Sequence, residues 1–296
     1  MQITASMVKE LRERTGAGMM ECKKALTKSN GYMETAIELL RKSGLAKADK
    51  KASRVATEGI IAASIAPDKS KAALVEVNCE TDFVSKGNQF RDFAKLVAER
   101  GLNSPVEDIH SLLRLAVSEQ DEQKCIEDAR LELVAKLGEN IQIRRFESFV
   151  SSGGQIGCYL HGTRIGVLVD LRGGDESLAK DIAMHVAASR PVCVTQDEVP
   201  PEMVEKEKEI FTAQAETSGK PPKIIEKMVQ GRVKKFLTEV TLLGQAFVKD
   251  PNKTVGKLLA DSEAEVVRFI RFEVGEGIEK KAANFAQEVL SQVKDS

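Results

Sequence analysis

The sequence predicts an α+β fold, with small antiparallel sheets backed by helices, a helical bundle ahead of them and a helical arm projecting from them. Three observations carry this. Residues 1–45 hold three short runs of apolar residues at helical spacing. From Gly59, and again from Gln155, two β-rich stretches, a helical pattern and a Pro-Val pair follow in the same order. Residues 203–248 are helical in pattern, highly charged and broken only at Ser218–Pro222.

In the bundle, Met7, Val8 and Leu11 repeat after Thr4, a suitable N-cap, and Thr15–Gly18 breaks the pattern. Met20, Lys23, Lys24, Ala25 and Leu26 begin a second helix, which Ser29, Asn30 and Gly31 end; Ala36, Ile37 and Leu40 mark a third. Three helices this short resemble the ubiquitin-associated fold. Their core is thin and their surface is free for docking. Lys47–Glu58 is rich in Lys and Ala and poor in large apolar residues, so it reads as a linker, partly helical, and residues 1–54 form the first unit.

The first repeat joins Gly59–Asn78, with a turn at Pro67–Ser70, to the helix Phe90–Glu99 and then Pro105 and Val106. The second joins Gln155–Leu171, with a turn at His161–Arg164, to the helix Leu178–Ala188 and then Pro191 and Val192. Each is followed, after further helices, by one more β-rich segment, Asn140–Val150 and Val266–Val274 respectively. Two related α+β subdomains follow, residues 55–150 and residues 151–200 with 246–276, each with about three antiparallel strands. Inserted in the second subdomain, residues 201–245 read as an antiparallel helical hairpin whose seam is Ile225, Met228, Val229, Val233 and Phe236. Residues 277–296 read as a last amphipathic helix, with Ile278, Phe285, Val289 and Val293 as contacts.

Composition narrows the function classes. The 296 residues suggest about two domains, and 42% hydrophobic with 30% charged residues describes a soluble globular chain with no apolar run near the ~18 residues of a membrane span. No secretory signal opens the chain, so a cytoplasmic location is expected. Five cysteines stand singly without chelating spacing, and His110, His161 and His185 lie far apart. Nothing matches HExxH, GxSxG or a phosphate-cradling loop. The expectation is a protein without metal, cofactor or catalytic residues of its own. Residues 1–54 carry a charge of +6 and the remainder −7, which raises an RNA-binding or ribosome-associated alternative acting through the basic bundle. Aromatic residues at 4%, without Trp, leave few stacking platforms for single-stranded RNA.

The stretch around which the chain is organised is Leu74–Phe93. Leu74, Val75 and Val77 are β-rich, and Glu80, Thr81, Asp82, Phe83 and Val84 interrupt the run before helical spacing resumes at Gln89. A phenylalanine among charged residues at such a junction is either tucked under its own loop or presented to a partner. On residue statistics alone the tucked reading is the commoner, beside a capping Thr or Asp.

Val8–Leu26 and Val77–Val84 together resemble the two signature segments of the elongation factor Ts family, exchange factors for the GTPase elongation factor Tu. The resemblance continues through His161–Val169, Ile182–Ala188, Ser218–Pro221 and Phe269–Glu279, and so runs in order along almost the whole chain. It implies that Thr81, Asp82, Phe83 and Val84 dislocate Mg²⁺ from the partner, with Phe83 inserting and Asp82 making polar contacts beside it, not ligating metal. It also implies that Lys23 and His161 contact the GTPase, that the C-terminal module docks, and that the hairpin supports self-association in some members. Where some members carry Gln, this chain has Glu80, which is expected to add a charge beside Phe83. A metal-dependent hydrolase using Glu76, Glu80 and Asp82 is a remote third reading, because no histidine is near them.

Overall fold

The computed structural model describes residues 3–119, 121–151, 153–217 and 220–279. Three helices, α1 (Ala5–Thr15), α2 (Met19–Lys28) and α3 (Met33–Lys51), open the chain. Thr4 caps α1 by accepting from the Met7 amide at 3.3 Å, and Gly16, at φ 68°, ends it in the left-handed region that glycine adopts without cost. Val8, Leu11, Cys22, Ala25, Leu26 and Ala36 form the buried core of this bundle. The stretch expected to be a linker is helical as far as Lys51, because its alanines and lysines favour a helix once a nucleus exists.

The first subdomain contains β1 (Glu58–Ile65), β2 (Lys71–Cys79), α4 (Asp82–Lys86), α5 (Asn88–Asn103), α6 (Ile109–Leu113), a small ribbon of β3 (Ala116–Ser118) and β4 (Asp121–Cys125), α7 (Ile126–Leu137) and β5 (Gln142–Val150). The second contains β6 (Gln155–His161), β7 (Ile165–Arg172), α8 (Glu176–Ser189), the hairpin of α9 (Pro201–Glu216) and α10 (Pro222–Val240), a ribbon of β8 (Ala246–Phe247) and β9 (Asp250–Thr254), α11 (Val255–Asp261) and β10 (Glu265–Glu273). Both three-stranded sheets are antiparallel, ordered β1-β2-β5 and β6-β7-β10. The two ribbons have no counterpart in the sequence reading: β3 and β8, of three and two residues, are too short to show a period, and their five-residue partners β4 (DEQKC) and β9 (DPNKT) lack an apolar alternation.

The sheets lie face to face, each with helices on its outer side. Side chains alternate across a strand, so β2 sends Val75, Val77 and Cys79 to a core with Phe90, Phe93, Val97 and Val134, and Ala72 and Leu74 to the second sheet. In the same way β7 sends Val167, Val169 and Leu171 toward α8, and Leu168 toward Ile61, Leu74 and Phe149. A middle strand covered on both faces is largely apolar on both, which is why β2 and β7 read as nearly continuous runs, interrupted by Glu76 and Asn78 in the first and Asp170 in the second. The sheets approach closely at Gly166, where a Cβ would stand 2.4 Å from Ile61 Cγ2 and 2.8 Å from Leu74 Cδ1.

The duplication extends to a detail. In each middle strand the sixth residue is a buried acid, Glu76 or Asp170, and the pairing with the third strand slips just beyond it. In the first sheet this bulge leaves Arg144 as an extra residue beside Arg145, so both guanidinium groups reach the Glu76 carboxylate. In the second, Asp170 accepts from the Ser151 hydroxyl.

The hairpin forms as its seam predicts, with Val229 buried and the Phe211 and Phe236 rings packed edge to face at 6.5 Å. Ser218 and Gly219 of its turn lie outside the described residues, as does the expected C-terminal helix from residue 280 onward, with Phe285, Val289 and Val293. No helix among the described residues is long and apolar enough to cross a membrane.

At the hairpin base His185 of α8 is fully buried. Its Nδ1 accepts from the Val248 amide at 3.2 Å, so Nε2 carries the proton toward Gln245 Oε1 at 3.0 Å. Burial holds its pKa below the ordinary histidine value, against the Gln245 hydrogen bond that raises it. A depressed folded-state pKa gives stability that is present above the unfolded value, about 6.5, and lost as pH falls through the folded one. Urea unfolding is therefore expected to show stability dropping from about pH 6.5 downward, with a slope of up to ~1.4 kcal/mol per pH unit. A His185→Leu variant should lack that slope above the carboxylate range; an unchanged slope would remove His185 as its source.

Candidate functional site

The residues singled out in the sequence lie on three elements. Thr81, Asp82, Phe83 and Val84 occupy the turn from β2 into α4 and the first residues of that helix. Lys23 is exposed on α2, and His161 is exposed at the end of β6, at the hairpin turn.

The β6–β7 turn leans on the first sheet: the Ile61 amide donates to Thr163 O at 2.8 Å, and Arg164 Nη1 meets Glu58 Oε2 at 3.0 Å. Glu58 pairs with Cys79, the last residue of β2, so the His161 turn and the Phe83 junction share one end of the inter-sheet contact. Tyr159 Oη stands 3.3 Å from His161 Nδ1. Lys23 is carried separately by the bundle, which is tied to the core where Arg41 Nη2 donates to Asp128 Oδ1 at 2.8 Å.

At the junction, successive residues of a one-turn helix point about 100° apart. Val84 turns inward to pack on the helix-side core, Ser85 is buried and donates to Asp82 O at 3.0 Å, and Phe83 turns out. Phe83 is 85% exposed, the most exposed large apolar side chain among the described residues. The tucked reading that residue statistics favour is thus overturned, because Val84 and Ser85 already fill the space beneath. Lys86 Nζ reaches Asp82 Oδ2 at 2.6 Å, and this hydrogen bond holds the Asp82 carboxyl below its usual range. Burial, with the Glu139 and Glu58 carboxylates, pushes the Cys79 thiol up to about 12, so it stays protonated.

Thr81 occupies the N-cap position of α4, yet its side chain does not cap the helix. Its hydroxyl donates instead to Glu139 Oε1 at 2.6 Å, while Glu139 Oε2 accepts the Glu80 and Thr81 amides, each at 3.0 Å. In return Glu80 Oε1 accepts the Asn140 amide at 2.6 Å, and Glu80 Oε2 faces Arg54 Nη1 at 3.5 Å. Glu80 therefore does not set a free charge beside Phe83, contrary to expectation; it is an acceptor in the frame beneath. Glu139 was not among the sequence candidates. Its partners lie 58 and 59 residues away, and no local pattern joins them.

The carboxylates of the hydrolase reading are spent elsewhere. Glu76 faces Arg144 and Arg145, Glu80 holds Asn140, and Asp82 pairs with Lys86. Among the described residues no group of three or more His, Cys, Asp or Glu is arranged to hold a metal. The arrangement offers a projecting aromatic side chain on a cross-braced turn, next to a second exposed turn.

A family model described as Elongation factor TS matches residues 80–276. Elongation factor Ts of Thioalkalivibrio sulfidiphilus is 60% identical over 295 residues, covering 99% of each chain. That of Methylococcus capsulatus is 60% identical over 296 residues and the whole of both chains. Elongation factor Ts of Legionella pneumophila is 56% identical over 292 residues, 99% of each. The family match and full-length identity agree with the motifs in the sequence: this chain belongs to the elongation factor Ts family of translation elongation factors.

Proposed function

We propose that this chain is a guanine nucleotide exchange factor for elongation factor Tu, and that it works by inserting Thr81–Val84 into the GTPase. Family membership supports the general role. The observation that carries the manner is Phe83, 85% exposed on a turn whose amides are held from below.

A GTPase holds GDP through phosphate-loop amides and a Mg²⁺ that bridges phosphate oxygens and protein ligands. A rigid aromatic group entering between partner helices displaces them and so dislocates the metal. Phe83 is that group, Val84 anchors its turn, and Asp82, kept ionised by Lys86, makes polar contacts beside it. Lys23 and His161 supply further contacts from the bundle and the second hairpin turn. Factor and nucleotide weaken each other's binding by the same ratio, so incoming GTP ejects the factor. The chain binds and reorders; it makes and breaks no covalent bond, needs no cofactor or metal and acts in the cytoplasm. Self-association belongs to the hairpin, where Ile210 and Ile224 remain exposed.

The RNA-binding reading gains less support. In the basic head Arg14 pairs with Glu34 and Arg41 with Asp128, which leaves fewer cations for phosphates.

The test is release of labelled GDP from purified elongation factor Tu. Catalytic amounts of the chain should accelerate it, in a manner that depends on residues 81–84. No acceleration, with salt-sensitive binding to RNA instead, would return the basic head to first place.

A further inference from the structure

A five-residue helix cannot hold its own orientation, because nucleating one turn costs more than its few hydrogen bonds return. The direction in which Phe83 points must be set from outside α4. We propose that Glu139 is the positioning residue that fixes Phe83 in its presented state, a role that rests on the exchange reading above.

Glu139 follows Gly138, which ends α7 in the left-handed region at φ 80° and turns the chain back toward β5. The turn is itself fastened. Asn140 is buried and its Nδ2 donates to Arg54 O at 2.7 Å and Ala52 O at 3.3 Å, while Arg130 Nη1 donates to Ile141 O at 2.7 Å. From this base one carboxylate takes three donors, the Glu80 amide, the Thr81 amide and the Thr81 hydroxyl. These are the last groups before Asp82 and Phe83. Glu80, bonded back to the Asn140 amide, closes the bracket in the opposite sense. Two backbone segments thus exchange carboxylate-to-amide hydrogen bonds, and the junction cannot pivot without breaking several at once. Bonds to an ionised acceptor are the stronger kind.

The geometry separates shape from charge. In Glu139→Gln the amide oxygen can accept both N–H groups and its NH₂ can donate to the Thr81 hydroxyl, so the bracket survives. In Glu139→Ala all three donors lose their acceptor. Amide hydrogen exchange of Glu80 and Thr81 in the free protein reads the bracket directly, and GDP release from elongation factor Tu, titrated to saturation, reads its consequence. Glu139→Ala should lose amide protection and lower the maximal release rate by about tenfold or more, since misplacing a working group by about 1 Å can cost ~10²-fold. Its half-saturating concentration should change little, because Lys23, His161 and their modules are untouched. Glu139→Gln should stay within about threefold of the parent on all readouts, less than half of a decade. Adding Glu139→Ala to Phe83→Ala should cost nothing further, because Glu139 acts through the ring that is already gone.

A Glu139→Ala protein with the parent's maximal rate would overturn the proposal, whatever its amides do. Equal losses in the Ala and Gln forms would also overturn it, because charge and not placement would then matter. Should Glu139→Ala fail to fold, Glu139→Asp, which withdraws the carboxylate by one methylene, takes its place with the same expectations. If the parent itself does not accelerate GDP release from elongation factor Tu, the exchange reading fails. Amide exchange alone then decides the bracket, which stands if the parent and Gln forms protect Glu80 and Thr81 and the Ala form does not.

Discussion

Phe83→Ala is expected to slow factor-stimulated GDP release from elongation factor Tu by roughly ten- to a hundredfold. The side chain is 85% exposed in the free chain, so almost all of its apolar surface is available for burial against a partner. Burying a Phe yields about 1.5–3 kcal/mol, and each ~1.4 kcal/mol withdrawn from the displaced state costs a factor of ten. The same exposure makes the substitution nearly silent for the fold. Unfolding in urea should shift by no more than about 0.5 kcal/mol, the usual range for a surface change. Val84 and Ser85, not Phe83, fill the space beneath the turn, so nothing collapses when the ring is removed. Stopped-flow release of a fluorescent GDP, with urea unfolding of the same preparation, checks both halves. A variant that releases GDP as fast as the parent would move the work to Asp82, His161 or the docking modules.

The largest expected effect on stability is Glu76→Leu. Glu76 is fully buried on β2, and it accepts from Arg144 Nη1 at 3.1 Å, Arg145 Nε at 2.5 Å and the Gly275 amide at 2.8 Å. Arg145 is held further by Glu276, by Glu273 O and by the Phe272 ring, 4.4 Å from its guanidinium carbon. Arg144 also donates to Glu276 O. Removing the shared carboxylate leaves two half-buried cations and an amide without their acceptor, and breaking a buried pair from one side costs about 3–5 kcal/mol. A melting temperature lower by roughly 10 °C is expected, since ~1 kcal/mol corresponds to a few degrees in a chain of this size. A loss below about 1 kcal/mol would show that the arginines find other partners, against the reading that a buried charge left alone is costly. Because Gly275 and Glu276 lead out of β10, the same variant tests whether this cluster fastens the end of the second sheet to the first.

The fold class, the repeated hairpin and helix, the arm and its seam, and the three-helix head are all visible in the sequence, because each rests on local periodicity. Spacing of 3.6 places Leu11 and Leu26 in a core and Val229 in the hairpin seam; a β-rich run interrupted at Glu80 announces a strand that ends there. The long, low-probability strings from Val8–Leu26 to Phe269–Glu279 suffice for the family, since matching them does not require knowing which residues touch.

What only the tertiary structure decides is the direction and support of each side chain, because those depend on residues far apart in the chain. The sequence offers Phe83 as tucked or presented, and residue statistics favour tucked; Val84 and Ser85, occupying the space below it, decide for presented. Nothing local marks Glu139 as the acceptor for amides 58 and 59 residues earlier, or shows that Glu80 turns its charge into the frame and away from Phe83. Two arginines reach one buried glutamate only because a bulge slips the register between β2 and β5 by one residue. Periodicity fixes which face a residue occupies, whereas hydrogen bonds between distant segments fix what that face can do.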